Sequence, residues 1–140
     1  MPTIDPSSAQ LDDVIAKAET ITGPIRMINL LKFKEVADYP GDTDPSDDGP
    51  STGAQAYARY GEVAMVEVAA VGGRQFEAAS AEMTVIGPED ESWDLVAIIE
   101  YPNPSAFLEM IAKDSYRGAV HHRTAGLADT RIIMTTSLMP

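Results

Sequence analysis

His122 and Arg123 stand side by side, six and seven residues after Tyr116. On a helix this spacing carries Arg123 onto the apolar stripe of Tyr116, Val120 and Leu127, not onto a wet face. A guanidinium placed there must meet an anion or carbonyl groups, and its planar fork suits a carboxylate. Two partners fit: the carboxylate of a small substrate, or an internal acid such as Glu100 or Asp129. His121 and His122 are adjacent, so on a helix they point roughly a hundred degrees apart and do not share a metal in the usual i,i+4 manner. No HExxH frame surrounds them. His122 is a candidate general base in the pH range where imidazole moves protons; the alternative is a surface or interface histidine.

Four further groups qualify. Asn29 is a carboxamide among Met27, Leu31 and Phe33 on one face of a strand, where it must be hydrogen-bonded. It either orients a ligand or bonds to neighbouring backbone. Tyr60, Trp93, Tyr101 and Tyr116 offer amphipathic rings for a cleft wall, with core packing as the alternative reading. Tyr60 sits beside Gly61, whose missing side chain leaves space on the inward face. The run DTDPSDDG places Asp42 and Asp44 as in the first and third positions of a calcium loop. Ser46 and Asp47 then spoil the fifth and sixth, and Gly53 stands where the closing glutamate belongs. No metal or cofactor is called for, and no phosphate loop, serine triad or catalytic carboxylate pair appears.

Composition narrows the partners. The chain has 140 residues, no cysteine and a net charge of −12. Thiolate chemistry and disulfides are thereby excluded, and phosphate-rich nucleic acids and anionic membranes would be repelled. No apolar run approaches the ~20 residues of a membrane span, and the N-terminus lacks a basic region followed by an apolar one. A cytoplasmic location and a single domain over residues 1–140 are expected.

The elements that must position these groups follow from periodicity. Ser7 and Gln10 form a capping box for a helix to about Thr20, with Leu11, Val14, Ile15 and Ala18 as its stripe. This helical extension occupies residues 1–23 and ends at Gly23-Pro24. A strand spans Ile25 to Lys34. Residues 35–52 carry six acids and no base, a solvated acidic loop with few apolar anchors. Thr52 and Gln55 cap a second helix to about Val71, burying Tyr57, Gly61, Ala64, Met65 and Val68. Strands are expected over 74–86, Trp93–Tyr101 and Arg131–Leu138. Asn103-Pro104 starts a last helix, which Asp114 interrupts near its middle and recaps into a second segment ending at Gly126.

After the leading helix the order is β-α-β-β-α-β over residues 25–138, an α+β, ferredoxin-like arrangement with a four-stranded antiparallel sheet. In the third strand Leu95, Ala97 and Ile99 share one face, and Val96 and Ile98 the other. Both faces therefore need cover. The two crossover helices cover one; the other takes a second subunit, or the N-terminal helix.

The segments MINLLKFK, YARYG and WDLVAIIEYPNPSAFLEMIAKDSYRGAVHHRTAGLADTRII resemble the domain-of-unknown-function family 1330 of the dimeric α/β-barrel superfamily. The resemblance covers roughly residues 25–136 and leaves the N-terminal helix and the acidic loop as additions. It implies a homodimer in which two four-stranded sheets face each other with helices outside. Relatives in that superfamily include cofactor-independent monooxygenases, muconolactone-type isomerases and haem-binding enzymes, so the fold alone chooses no chemistry. The expected function is binding of a small organic carboxylate or carbonyl compound between helices and sheet. Any turnover would be cofactor-free, by proton transfer or oxidation. Arg123 would hold the anion, His122 move a proton and Asn29 orient the substrate. The alternative is a non-catalytic or purely structural homodimer.

Overall fold

The first helix, α1 (Ser8–Thr20), begins where Ser7 accepts the Gln10 N–H and the Gln10 carboxamide returns to the Ser7 N–H. The same reciprocal cap, from Thr52 and Gln55, starts α2 (Gly53–Ala70). Gly72, at φ +85, reverses the chain after α2, a conformation that costs a residue without Cβ little. Asn103 caps α3 (Pro104–Ala112) with proline at the first helical position. The chain then breaks into α4 (Asp114–Arg117) and α5 (Val120–Gly126): the interruption expected at Asp114 occurs, but Lys113 takes the cap position with no side-chain cap, and a second break at Gly118-Ala119 divides the expected single segment. The strands are β1 (Ile25–Phe33), β2 (Arg74–Ser80), β3 (Leu95–Tyr101) and β4 (Leu127–Thr135). This computed structural model describes residues 2–140.

The strands form one antiparallel sheet in the order β2-β3-β1-β4. With two crossovers on one face this is the ferredoxin-like α+β fold. Ile25, Met27 and Tyr101 on that face are buried beneath Val68 of α2 and Ala106 and Met110 of α3. Among the described residues no helix is long and apolar enough to cross a membrane.

Five strand boundaries differ from expectation. The first strand stops at Phe33, one residue short of Lys34, and the fourth at Thr135 instead of Leu138. The second strand stops at Ser80 instead of residue 86, and the third begins at Leu95, not Trp93. Asp94 causes both. Its carbonyl accepts the last ladder bond, from Ala81, while its N–H donates to the Leu31 carbonyl and its carboxylate accepts the Phe33 N–H. Asp94 is thereby turned toward β1, and residues 82–93 have no strand to pair with. The fourth strand starts four residues early because the α5 carbonyl of Gly126 accepts the Lys34 N–H, delivering the chain directly opposite Phe33.

The acidic loop is also better anchored than its composition suggests. Tyr39 is only 8% exposed. Asp44 accepts from the Ser51 hydroxyl at 2.6 Å, the Ser51 N–H at 2.8 Å and the Ser46 N–H at 2.9 Å. Those bonds, the Ser51 hydroxyl first, hold its carboxyl below the ordinary range. The Asp44 oxygens therefore serve the loop's own turn.

α1 lies on the helical side, where Leu11 and Val14 face the same cavity as Met27 and Asn29. It does not cross the opposite face. There Ile28, Leu30, Val96 and Ile98 remain half-buried and Ile133 is 54% exposed.

Two glycines set how closely α2 and α5 approach. A Cβ on Gly53 would run into the Lys34 backbone, and one on Gly126 into the Gly53 carbonyl. The space is filled by hydrogen bonds instead: Gly53 N–H donates to Lys34 O at 3.0 Å, and Lys34 N–H to Gly126 O at 2.8 Å. Gly126→Ala should therefore destabilise the protein by about 1–3 kcal/mol through overpacking against backbone that cannot move aside, read as a lowered thermal midpoint. An unchanged midpoint would show that the crossing has slack.

Candidate functional site

Tyr57 and Tyr60, three apart on α2, project from one helix face. Their ring centroids are 5.2 Å apart; Phe33 of β1 continues the row at 5.4 Å from Tyr57, and Tyr116 of α4 closes it at 5.8 Å from Tyr60. The Tyr60 and Tyr116 hydroxyls share a 2.8 Å hydrogen bond. This aromatic row walls a cavity of about 1000 Å³ between the sheet, α1 and the other helices. Its floor is the inner sheet face, with Met27, Asn29, Ala97, Ile99 and Tyr101. At Gly61 an added Cβ would meet nothing within 4 Å, so the glycine does open space beside Tyr60.

Arg123 reaches this cavity from α5. Its residue is 9% exposed, so the inward stripe inferred from spacing holds across the helix break. Neither expected acid meets it. Glu100 pairs with Arg26 at 3.0 Å and Arg74 at 3.1 Å on the outer sheet face, and Asp129 pairs with Arg131. The partner of Arg123 is Asp5, Nη1 to Oδ1 at 3.3 Å, and the Asp5 side chain is 67% exposed. A buried guanidinium thus rests against one loosely held carboxylate from the N-terminal segment.

Of the remaining polar groups in the cavity, Arg131 is charged, partly exposed and paired with Asp129, and the others are hydrogen-bonding groups without charge. Burial pushes the Tyr57 phenol up to about 12, and raises Tyr60 and Tyr101 further, despite the opposing field of Arg123 at Tyr57 and Tyr60. Such phenols stay protonated at neutral pH and act as donors. Asn29 donates its amide to the Met27 carbonyl at 3.0 Å, which leaves its carboxamide oxygen as an acceptor on the cavity wall. The backbone bond expected of Asn29 is thus present at its amide end, while the other end faces the cavity.

Two expected site residues stand elsewhere. His122 is outside the cavity, in a shallow depression of the outer helix surface with Arg59, Glu62 and Asp114. Its Nδ1 lies 2.7 Å from the Tyr39 hydroxyl, which also accepts from Arg59 at 3.0 Å. His122 and Arg123 are adjacent on α5 and so face opposite compartments. Trp93, beyond the shortened β3, lies under the Arg131 guanidinium at 5.2 Å and does not reach the cavity. Sequence reasoning missed Tyr57 as a cavity group, although it sits one turn before Tyr60. It also missed Tyr39 and Asp5, which lie in irregular segments where no periodicity aims a side chain. Among the described residues no cluster of three or more His, Asp or Glu side chains is arranged to hold a metal.

Burial, then His121 and Arg59, hold His122 below its ordinary pKa of 6.5. Folding therefore favours its neutral form. The stability this gives is present above pH 6.5 and is lost as acid takes the solution down through the folded-state pKa. An NMR titration should place His122 below 6.5, and Arg59→Gln should move it only part of the way back, because burial is the larger cause. A midpoint at or above 6.5 would contradict this environment.

No protein-family model matches the chain, and no curated protein does. Solved structures do. RPA0582, a protein of unknown function from Rhodopseudomonas palustris, is 38% identical, with a TM-score of 0.87 over 100% of both chains. A dimeric protein of unknown function with a ferredoxin-like fold from Bacteroides fragilis is 13% identical, with a TM-score of 0.50 over 84% of this chain and 99% of its own. At3g17210 from Arabidopsis thaliana is 11% identical, with a TM-score of 0.51 over 83% of this chain and 97% of its own. The latter two share the fold alone. At full-length coverage and 38% identity, the chain belongs to the family of RPA0582.

Proposed function

We propose that this protein is a cytoplasmic homodimer that binds a small organic carboxylate or carbonyl compound in the cavity between sheet and helices. One observation carries the reading: a buried guanidinium, Arg123, lies on the wall of a largely apolar cavity and, among the described residues, is opposed only by the exposed carboxylate of Asp5. Purely structural buried arginines are normally enclosed by several partners, because stranding the charge is costly. The cavity volume lies at the upper end of the range for small-molecule sites. Arg123 would hold the anionic or carbonyl end, Asn29 and the phenols of Tyr60, Tyr101 and Tyr116 would orient the remainder, and the Phe33–Tyr57 row would pack against its body.

A catalytic reading has one specific support. In the Tyr60–Tyr116 pair one phenol donates to the other, so the acceptor's own hydrogen is free for a substrate oxygen. Proton transfer would then run through a phenol and not through His122. The resemblance to domain-of-unknown-function family 1330 accords with this reading without choosing between binding and cofactor-free turnover.

The dimer is proposed from the bare sheet face. Ile28, Leu30, Val96, Ile98 and Ile133 form an apolar centre on a surface that no helix among the described residues covers. The Bacteroides fragilis neighbour, which shares this fold, is itself described as dimeric. Sedimentation at micromolar concentration should give about twice the 15.0 kDa chain mass, with an interface above the roughly 1,000 Å² of a stable contact. Ile133→Glu should release monomers; a monomeric wild type would overturn the assembly.

The cavity is tested by titrating small carboxylates under calorimetry. Arg123→Gln should abolish binding. Gly61→Leu should also abolish it by filling the space beside Tyr60, while leaving the protein as stable or up to about 1 kcal/mol more so, since glycine is a poor helix former. Binding that survives both substitutions would place the ligand elsewhere.

A further inference from the structure

The N-terminal segment before α1 is tied down at one end by backbone pairing. Thr3 N–H donates to the Asp129 carboxylate at 2.9 Å, and Thr130 N–H donates to the Thr3 carbonyl at 2.9 Å. The Thr3 hydroxyl donates to the Thr130 carbonyl at 2.9 Å. Two residues further on, the segment places Asp5 against Arg123 and Ile4 in the cavity wall. At the other end the Ser7 cap starts α1, whose Leu11 and Val14 continue the same wall. Residues 3–6 are thus a strap held at both ends, with one acid at the cavity's one buried cation.

We infer that Asp5 occupies the position of a ligand carboxylate, and that the physiological ligand is an anionic monocarboxylate with an apolar body which displaces the Asp5 side chain from Arg123. This narrows the ligand class proposed above and rests on that reading. The geometry of the pair supports displacement. At 3.3 Å through a single nitrogen the contact is long for a charge-assisted bond, and a second arm of the guanidinium fork is not engaged by it. Asp5 is two-thirds exposed, so its carboxylate returns to water at little cost once it swings away. A ligand carboxylate inside the cavity would face the fork in a less hydrated setting, where bidentate pairing is stronger. The strap itself need not move, because its anchor is backbone at Thr3. Asp5 then sets specificity. A neutral ligand leaves the Asp5–Arg123 pair intact and gains nothing from the guanidinium, whereas an anion exchanges one carboxylate for a better-placed one.

The test uses benzoate and its neutral counterpart benzamide as probes, with calorimetry on the full chain and on Asp5→Asn and Arg123→Gln. Removing an exposed competitor of this kind should tighten benzoate binding to Asp5→Asn by about fivefold, the scale of a partly exposed ion pair. Benzamide should be insensitive to that change. Arg123→Lys, which keeps the charge but loses the fork, should weaken benzoate binding, and thermal melting of each variant confirms that it is folded. Benzoate binding that requires Arg123 but is unchanged or weakened in Asp5→Asn overturns the inference and leaves the cavity reading standing. Failure of both the full chain and Asp5→Asn, the latter with the Arg123 fork unopposed, to bind benzoate at all overturns both.

Discussion

The meeting of Lys34, Gly53 and Gly126 determines where everything else can be. Three backbone segments converge there: the end of β1, the first residue of α2 and the last residue of α5. Glycine at the second and third positions lets the segments close to hydrogen-bonding distance, which any Cβ would prevent. From this fixed point α2 carries Tyr57 and Tyr60 inward, and α5 carries Arg123 toward them. A buried charge can be placed beside a row of phenols only if both helices are held in register. The close crossing supplies that register without consuming any side chain.

The periodic parts of the chain were legible from sequence because periodicity is a physical demand of burial. Both capping boxes, the Asn103-Pro104 helix start, the break near Asp114 and the inward stripe of Arg123 all stand where spacing puts them. The failures occur where a single tertiary contact overrides a local pattern. Asp94 ends a strand that its neighbours would have continued, because β1 offers it better partners. His122 misses the cavity that Arg123 reaches, because adjacency on a helix sends two side chains apart. Asp5 is not visible from sequence as a partner of Arg123, since 118 residues separate them and the segment before the Ser7 cap has no period.

The cavity's chemistry follows from which groups burial leaves charged. Phenols raised by desolvation stay neutral, as does the carboxamide of Asn29, and Arg123 supplies the buried guanidinium. The interior is thus a mostly apolar space with a buried positive pole at Arg123, a partly exposed second guanidinium, Arg131, on its wall, and several hydrogen-bond groups. On a chain whose net charge is −12, that pole is a local inversion of the surrounding field. Long-range attraction of an anion is weak under these conditions, and recognition depends on short-range pairing inside the cavity.

Because the ends of the acidic segment meet at that same glycine junction, residues 35–52 form a closed loop whose interior is independent of its attachment. Its own contacts divide it further: Tyr39 fastens the incoming limb to α5 through His122, and Asp44 with Ser51 ties off the outgoing one. The stretch Asp47-Asp48-Gly49 between them is exposed. Closure entropy grows only slowly with length, by about 0.6 kcal/mol per doubling. That tip is therefore a place where the chain can accept inserted sequence, or a fused module, while the sheet, the helix crossing and the cavity keep their geometry.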